Sequence, residues 1–196
     1  MSRIGRNART TTETHVEVMW NLAGAGAFTG STRLPFLDHM LAQLARHGRF
    51  DLAVHASGDL EIDAHHTVED VGIVLGRALR DALGDGTGIA RFASAHAPLD
   101  EALVLAVVDV SGRPYLHYAV SVPRQRLGDY DTDLTEEFFR AFATNAGITL
   151  HMLLVHGRNA HHIIEAAFKA VALALDRAVR VDPRVQGVPS TKGTLA

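Results

Sequence analysis

The sequence contains two copies of one arrangement of histidine and glutamate. The doublets His65-His66 and His161-His162 are each followed, three residues after the second histidine, by a glutamate, Glu69 and Glu165. On a helix, residues three and four apart share a face, so each carboxylate can lie beside both imidazoles of its doublet. Nitrogen and oxygen donors of this kind suit Mn, Fe, Zn, Co or Ni. The two motifs therefore predict a transition-metal site without naming the metal.

Neighbouring residues on a helix point about 100° apart, so the two histidines of one doublet can serve different metal ions. A lone histidine is more often structural than a metal ligand, but a matched pair of motifs in one chain favours metal binding. We interpret six other histidines, which lack such support, as structural or solvent-facing: His15, His47, His55, His96, His117 and His156.

His39 is a further candidate ligand. It follows Asp38 in LPFLDHMLAQL, where the aspartate can accept a hydrogen bond from the imidazole and so orient it. His151, at the end of ITLH in an apolar segment, is a weaker candidate.

The composition excludes several classes of function. With 19 Lys plus Arg against 22 Asp plus Glu, the net charge of -3 provides no positive field for nucleic acid or an anionic bilayer. The chain has no cysteine, which excludes disulfides, thiolate zinc sites and iron–sulfur clusters. The longest apolar stretch, 102–108, is too short to span a membrane. We expect a cytoplasmic protein with neither nucleic-acid nor membrane partners.

The elements that position these residues are themselves repeated. The two doublets lie 96 residues apart, and the segments that follow them keep several alanines and leucines in register, which indicates an internal duplication. Each half is predicted as β-β-α-β-α, with a first half at 1–93, a second at 94–182 and a tail at 183–196. The predicted strands are 16–22, 50–56, 103–110 and 148–156, and the predicted helices are 39–47, 65–83, 136–146 and 161–179. No low-complexity linker separates the halves, so we expect one shared core.

The polar tail RVQGVPSTKGTLA has no periodic pattern. It is either frayed or a flap that takes part in function.

The motifs LDHML, AHHTVED, SGRPYL, TLH, GRNAHHIIEAAFKA and PSTKG, which run along both halves, together resemble the imidazoleglycerol-phosphate dehydratase family. The resemblance implies a lyase that dehydrates imidazoleglycerol phosphate to imidazole acetol phosphate in histidine biosynthesis. It also implies an α/β sandwich of two inverted halves, with the helices between the sheets. Two Mn(II) ions per site and a hollow assembly of 24 identical subunits, whose metal ligands come from different subunits, complete the expectation.

The resemblance also implies a ligand set. Carried over residue by residue, the ligands are His39, His65, His66, Glu69, His161, His162 and Glu165. Many relatives have a histidine where this chain has Glu137 in EEFF. Because a carboxylate can also coordinate Mn, we expect Glu137 to substitute for it, with His151 as the alternative.

The remaining family positions concern the substrate. Arg91 and Arg113 match phosphate-binding arginines, whose forked guanidinium suits phosphate oxygens. The other implied substrate residues are Gln43, Lys169, Ser190, Thr191 and Lys192. Glu13, Glu69 and Glu165 are the candidates for general acid and general base, and the sequence does not divide the two roles among them. Because the proton to be removed is not next to a carbonyl, the reaction needs another electron source, and a metal that lowers the pKa of the substrate's imidazole provides one as the imidazolate.

Two other classes of function fit part of these observations. Histidine enrichment alone would serve a protein that stores or delivers metal without catalysis. Two metals and a glutamate would also serve a dinuclear phosphoesterase that uses a metal-activated hydroxide.

Overall fold

A computed structural model of the chain describes residues 3–195. The first two residues of the predicted first half and the last residue of the tail lie outside this range. The elements of the first half are β1 (Ile4–Thr10), β2 (Thr14–Asn21), β3 (Phe28–Ser31), α1 (Pro35–Gly48), β4 (Asp51–Gly58) and α2 (His65–Leu83). Those of the second half are β5 (Phe92–Leu99), β6 (Ala102–Asp109), β7 (Tyr115–Ala119), β8 (Arg126–Leu127), β9 (Tyr130–Asp131), α3 (Leu134–Ala146), β10 (Thr149–His156) and α4 (Ala160–Ala178).

The two large sheets have the same topology. Their strand orders are β1-β2-β4-β3 and β5-β6-β10-β7, so each strand of the first sheet has a counterpart in the second. In both sheets the last pair, β3 with β4 and β7 with β10, is parallel, and the other pairs are antiparallel. The structure therefore confirms the internal duplication.

The four helices lie between the two sheets, and α2 packs on the first sheet while α4 packs on the second. The two halves also contact each other through their helices, because α1 packs on α4 and α2 packs on α3. Trp20 illustrates the shared core: it is fully buried and its ring contacts Phe50 of its own half and Phe142 of the other. The α/β sandwich with one core is thus confirmed.

Each four-stranded sheet contains one strand more than the β-β-α-β-α pattern predicts, and the second half also contains β8 and β9, which pair with each other in a separate two-stranded sheet. The added strands, β3 and β7, are short edge strands with little buried surface, so they lack the apolar alternation that reveals a half-buried strand. In β3, Gly30 has a φ of 102° and a Cβ there would lie 2.0 Å from the Val54 carbonyl oxygen, so the strand needs a glycine. Helix α1 begins at Pro35, four residues before His39, because proline suits the first turn of a helix.

Two glycines let α2 and α3 approach closely. A Cβ at Gly72 would lie 2.7 Å from the carbonyl oxygen of Phe138, and one at Gly76 would lie 2.5 Å from that of Phe142. Since residues four apart share a helix face, the two glycines form one flat surface against α3. This contact brings the backbones of the two helices together.

The tail is fixed against the segment that precedes β5. The Gly88 amide donates to the Gly187 carbonyl at 2.8 Å, and the Asp182 amide donates to the Gly88 carbonyl at 2.9 Å. The tail therefore has a defined path over the protein. Among residues 3–195, no helix combines the length and the apolar character needed to cross a bilayer.

Candidate metal centre and phosphate site

Three of the predicted ligands meet between α1 and α4. His39 Nε2 on α1 and His161 Nε2 on α4 are each 3.1 Å from the same oxygen, Oε2 of Glu165. His161 and Glu165 lie four residues apart on one face of α4, and the packing of α1 on α4 adds His39. Within the described part of the chain, this is the one group of three such side chains whose donor atoms lie within 4.8 Å of one another.

The donor set of this cluster fits a transition metal. Ligand atoms about 2.1 Å from a metal ion lie about 3 Å apart when they occupy adjacent coordination positions. Each of the two nitrogens has this spacing from the carboxylate oxygen, and two imidazoles with a carboxylate are typical of Mn, Fe or Zn sites. The cluster is therefore chemically suited to the metal that the sequence motifs predict.

Lys169 holds the carboxylate of Glu165 in its ionised form. Burial acts to raise the pKa of Glu165, but the hydrogen bonds from Lys169, His39 and His161 outweigh it, so the pKa is lower than usual. The Lys169 ammonium lies 2.6 Å from Oε1, the oxygen that does not face the histidines. One oxygen of Glu165 thus faces the lysine and the other faces the two imidazoles.

One turn of α1 beyond His39, the side chain of Gln43 lies 3.1 Å from His47, between its Oε1 and the imidazole Nε2. Burial, followed by the nearby charge of Lys169, lowers the pKa of His47. A neutral His47 that donates to the Gln43 carbonyl oxygen leaves the amide group of Gln43 free to donate. Because Gln43 follows His39 by four residues, it lies on the face of α1 that carries His39, as a substrate-binding residue would.

The two imidazole rings of each doublet are nearly perpendicular to each other. The ring centroids of His65 and His66 are 6.2 Å apart and the ring planes make an angle of 86°. For His161 and His162 the distance is 6.2 Å and the angle 83°. The two doublets thus have the same internal geometry. In the second doublet His161 contacts Glu165 and His162 contacts Glu101, so the two imidazoles have different partners.

His162 is held by Glu101, in the turn between β5 and β6. His162 Nδ1 lies 2.7 Å from Glu101 Oε2, and this hydrogen bond raises the pKa of His162. The same hydrogen bond, together with those from the Asn159 and Arg158 amides, lowers the pKa of Glu101 to about 2. The Asn159 side chain caps α4 by accepting from the amides of His161 and His162, which fixes where the doublet begins.

His66 is held by Asp59, the first residue after β4. His66 Nδ1 lies 3.0 Å from Asp59 Oδ2, and this hydrogen bond raises the pKa of His66. Glu13, in the turn between β1 and β2, is the next acid, with its Oε2 3.7 Å from the same nitrogen. The candidate acid–base residue Glu13 therefore lies beside a predicted metal ligand.

Four other predicted residues do not join the cluster of His39, His161 and Glu165 within one protomer. His65 and Glu69 are partly buried on the first two turns of α2. Glu137, in the first turn of α3, lies 3.6 Å from the Arg140 guanidinium. His151 lies on the outer face of the second sheet, beside Tyr115 and His117, whereas its neighbours Leu150 and Met152 point inward to the helices. The protomer therefore places the alternative ligand His151 away from the cluster.

The arginines predicted to bind phosphate share one aspartate. Arg91 forms a two-pronged ion pair with Asp109, with Nε and a terminal nitrogen at 2.7 and 3.2 Å from the two carboxylate oxygens. Arg113 approaches the same carboxylate at 3.5 Å. A third N–H of Arg91 donates to the Pro189 carbonyl at 2.8 Å, so the tail is tied to this group.

Because a guanidinium has five N–H donors, Arg91 keeps two for a ligand. Of the other predicted phosphate ligands, Thr191 and Lys192 are exposed in the tail, and the Ser190 hydroxyl accepts from the Lys192 amide at 3.2 Å. Both arginines and these three residues thus belong to one region, organised around Asp109 and Pro189.

Sequence reasoning missed three acids that hold functional side chains: Asp59, Glu101 and Asp109. Their partners are 7, 61 and 18 residues away in the chain. In each case the acid and its partner lie on different segments of the chain, so only the fold brings the groups together. The one available signal for Glu101 was its position before the second strand of its half, where the first half has Glu13.

Comparison with known proteins identifies the family to which the chain belongs. Residues 32–175 match the model of a protein family described as imidazoleglycerol-phosphate dehydratase. The imidazoleglycerol-phosphate dehydratase of Symbiobacterium thermophilum is 61% identical over 193 residues, which cover 98% of this chain and 93% of that protein. The enzyme of the same name from Moorella thermoacetica is 54% identical over 196 residues, covering 100% of both chains.

Solved structures agree with these sequence matches. The imidazoleglycerol-phosphate dehydratase of Staphylococcus aureus superposes with a TM-score of 0.82 at 37% identity, covering 91% of this chain and 99% of that one. The Pyrococcus furiosus protein, solved in complex with (S)-C348, gives a TM-score of 0.82 at 38% identity, covering 96% and 99%. The similarity therefore extends over nearly the whole fold.

Proposed function

Because the chain belongs to the imidazoleglycerol-phosphate dehydratase family of hydro-lyases, we propose that it carries out the reaction for which the family is named. In this reaction imidazoleglycerol phosphate loses water to give imidazole acetol phosphate, a step of histidine biosynthesis. We include in the proposal a dependence on Mn(II), with two ions per site. The family resemblance expected from the sequence is confirmed; the metal and the roles of single residues belong to the proposal.

The observation that carries the proposal is the convergence of His39 and His161 on one oxygen of Glu165. These side chains come from two family motifs, LDHML and AHHIIE, that lie far apart in the sequence. A storage protein would not need the arginine pair and the Ser-Thr-Lys tail. The combination of a nitrogen and oxygen cluster with a separate anion-binding region suits a substrate that has an imidazole at one end and a phosphate at the other.

The residues proposed to hold Mn(II) share imidazole or carboxylate donors. They are His39, His65, His66, Glu69, Glu137, His161, His162 and Glu165. Glu137 takes the place of a histidine in this set, and His151, on the outer face of the second sheet, is the alternative ligand. Bound Mn(II) would lower the pKa of the substrate's imidazole N–H, and the deprotonated ring could then donate the electrons that expel the neighbouring hydroxyl.

Carboxylates of the chain carry out the proton transfers. The reaction needs one proton given to the departing hydroxyl and one removed from the following carbon. Lys169 keeps Glu165 ionised, which favours a ligand role over proton transfer for this residue. Glu13 is 54% exposed and forms no close pair with His66, so its carboxylate is free to carry a proton. We therefore assign proton transfer to Glu13, which contributes about 100-fold or more to the rate.

The phosphate of the substrate binds at the other end of the site. Arg91 and Arg113 are proposed to bind its oxygens, with Ser190, Thr191 and Lys192 supplying further donors. Lys169, whose ammonium lies 2.6 Å from Glu165, is proposed to contact the substrate beside the metal cluster, and Gln43 to position the glycerol chain. Binding at a group remote from the reacting carbons converts affinity into orientation of the ring.

The proposed active site is shared between subunits. Among the described residues of one protomer three of the eight proposed ligands meet, while the other five lie outside this cluster. A site of two metals therefore needs ligands from a neighbouring chain. This supports the assembly of 24 identical subunits implied by the family resemblance.

The experiment that tests the function supplies purified protein with imidazoleglycerol phosphate and Mn(II). We expect formation of the ketone imidazole acetol phosphate, with the phosphate still attached. A dinuclear phosphoesterase would instead release inorganic phosphate, and a metal-storage protein would do neither while binding metal. In the same assay His161→Ala should abolish turnover and lower the bound Mn, whereas His96→Ala, a change outside the proposed site, should leave both unchanged. Full activity and full metal content in His161→Ala would reject the proposed centre.

A further inference from the structure

The internal duplication makes Glu13 and Glu101 equivalent residues. Glu13 ends the turn between β1 and β2, directly before β2 begins at Thr14. Glu101 ends the turn between β5 and β6, directly before β6 begins at Ala102. Each lies close to the second histidine of its half's doublet, His66 or His162. The fold therefore places a glutamate beside the second histidine of the doublet in each half.

The two glutamates nevertheless have different partners. Glu101 is fully engaged: Oε2 lies 2.7 Å from His162 Nδ1, and Oε1 accepts the amides of Asn159 at 2.7 Å and Arg158 at 3.1 Å. Glu13 lies 3.7 Å from His66 Nδ1, beyond hydrogen-bonding distance, and its side chain is 54% exposed. One glutamate is fixed by the fold and the other is free.

A second acid accounts for the difference. In the first half, Asp59 directly follows β4, and its Oδ2 is hydrogen-bonded to His66 Nδ1 at 3.0 Å. The corresponding residue of the second half, directly after β10, is Gly157, which has no side chain to offer. Within residues 3–195 the other oxygen of Asp59 is buried and accepts no hydrogen bond, so this carboxylate serves His66 alone.

We infer that Asp59 and Glu101 are equivalent positioning residues for the two proposed metal sites, and that Asp59 leaves Glu13 free for proton transfer. Each acid accepts the Nδ1 hydrogen of its histidine, which fixes the tautomer and leaves the Nε2 lone pair for a metal ion. At Nδ1 the second half has one acid, which orients the histidine. The first half has two, so orientation and chemistry fall to different residues. The role of Glu13 in this inference rests on the proposed function, whereas the roles of Asp59 and Glu101 rest on metal binding alone.

The consequence is that the three acids affect different quantities. Removing an acid that orients a metal-bound histidine weakens metal affinity about 10–100-fold. Removing a general base slows turnover about 100-fold or more without weakening the metal. Asp59 and Glu101 therefore belong to the first class, and Glu13 to the second.

The test compares Asp59→Asn, Glu101→Gln and Glu13→Gln in the assembled full-length protein. Mn(II) is titrated into metal-free protein, with free Mn(II) followed by electron paramagnetic resonance, and turnover is then measured over a range of Mn(II). We expect Asp59→Asn and Glu101→Gln to bind Mn(II) roughly 10–100-fold more weakly and to regain turnover in excess Mn(II). Glu13→Gln should bind Mn(II) like the unmodified protein and stay inactive at every Mn(II) concentration.

Asp100→Asn is the matched control. Asp100 is adjacent to Glu101 and 3.9 Å from the other nitrogen of His162, but it does not contact Nδ1. Its φ of 47° is one that asparagine tolerates. Normal Mn(II) affinity in Asp100→Asn shows that orientation, and not the loss of one negative charge, causes the effect of Glu101→Gln.

Two results would overturn the inference: unchanged Mn(II) affinity in both Asp59→Asn and Glu101→Gln, or an equal loss of affinity in Glu13→Gln. If Glu101→Gln fails to fold, because Glu101 also holds the Arg158 and Asn159 amides, Asp59→Asn decides, since Asp59 has no such second role. The metal titration needs no substrate. A protein that binds Mn(II) as expected but turns over no imidazoleglycerol phosphate would therefore reject the proposed function and leave the two positioning roles intact.

Discussion

The carboxylate of Asp109 ties together two arginines that the proposed function assigns to the substrate's phosphate. Its two oxygens bind the edge of Arg91 at 2.7 and 3.2 Å, and Arg113 approaches at 3.5 Å. Stacking of the Arg91 guanidinium 4.5 Å above the Phe92 ring adds a second constraint. An arginine held in this way loses little further side-chain freedom when it binds a phosphate.

We therefore expect Asp109→Asn to weaken substrate binding more than it slows the chemical step. A hydrogen bond to a charged group contributes about 1.5–3 kcal/mol, so loss of this ion pair should raise KM roughly tenfold or more. The kcat should fall much less. Steady-state kinetics with imidazoleglycerol phosphate measures both values.

The control for this substitution is Asp176→Asn. Asp176 is comparably shielded and pairs with Arg180 at 2.7 Å, but it lies outside the proposed site. An Asp109→Asn enzyme whose KM matches that of Asp176→Asn would show that Asp109 does not prepare the arginines for phosphate.

Glu137 is the one proposed ligand at which this chain departs from the histidine that the family resemblance leads us to expect. Glu137→Ala should lower the amount of Mn bound per subunit, while Glu137→His should retain it, since either a carboxylate or an imidazole can coordinate Mn. Metal analysis of the assembled protein gives the comparison. Glu136→Ala is a matched control, because Glu136 neighbours Glu137 and also pairs with Arg140. Equal metal content in Glu137→Ala and Glu136→Ala would remove Glu137 from the ligand set.

Single residues of the site were predictable to the extent that helix periodicity governs them. The spacing of His161 and Glu165 on one helix face is enough to place both in a cluster. His39 was predicted from its neighbours and the family resemblance, and its contact with Glu165 spans 126 residues. Asp59 and Glu101 could not be found in this way, because each is a single acid in a turn and becomes recognisable only when the fold brings it to an imidazole.

The elements of the fold show a similar division. Strands and helices with one buried face follow from alternation and from three and four spacing, so their predicted limits are close to those observed. Edge strands β3 and β7 bury too little surface to produce a pattern. Strand β5 begins at Phe92, two residues before the expected start of the second half. Pairing order and the parallel direction of β3 and β7 are set by the packing of whole elements, which no local pattern encodes.

Among the helix contacts, that between α2 and α3 depends on the absence of side chains. Replacing Gly76 by alanine would place a methyl group 2.5 Å from the Phe142 carbonyl oxygen and 2.8 Å from the Ala146 amide nitrogen. These are backbone atoms of α3, which cannot move aside without shifting the helix.

Gly76→Ala should therefore destabilise the protein by about 1–3 kcal/mol, the usual cost of overpacking a core. In an unconstrained helix the same change would stabilise by roughly 1 kcal/mol, because alanine is the better helix former. The direction of the effect thus separates the two explanations. Thermal unfolding measures it, and a higher melting temperature in Gly76→Ala would contradict the close contact.

Across the whole molecule, metal binding and assembly should be coupled. If ligands from neighbouring subunits complete each site, every bound ion adds to the free energy that holds subunits together. We expect a chelator to dissociate the assembly or reduce its thermal stability, and added Mn(II) to restore it. Light scattering before and after complete removal of metal measures the change. An assembly of unchanged mass and stability without metal would show that the sites do not bridge subunits.

The helix contacts that join the two halves resemble contacts between two subunits. Helix α1 of the first half packs on α4 of the second, and α2 packs on α3. Because α3 is the counterpart of α1 and α4 that of α2, an approximate two-fold axis relates the two contacts. A polypeptide with one such half would leave its helical layer bare to water, and a second identical copy is the surface that fits it. The present protein therefore has the architecture of a homodimer whose two members share one backbone. Covalent linkage lets the two members diverge, as a symmetric pair of identical chains never could.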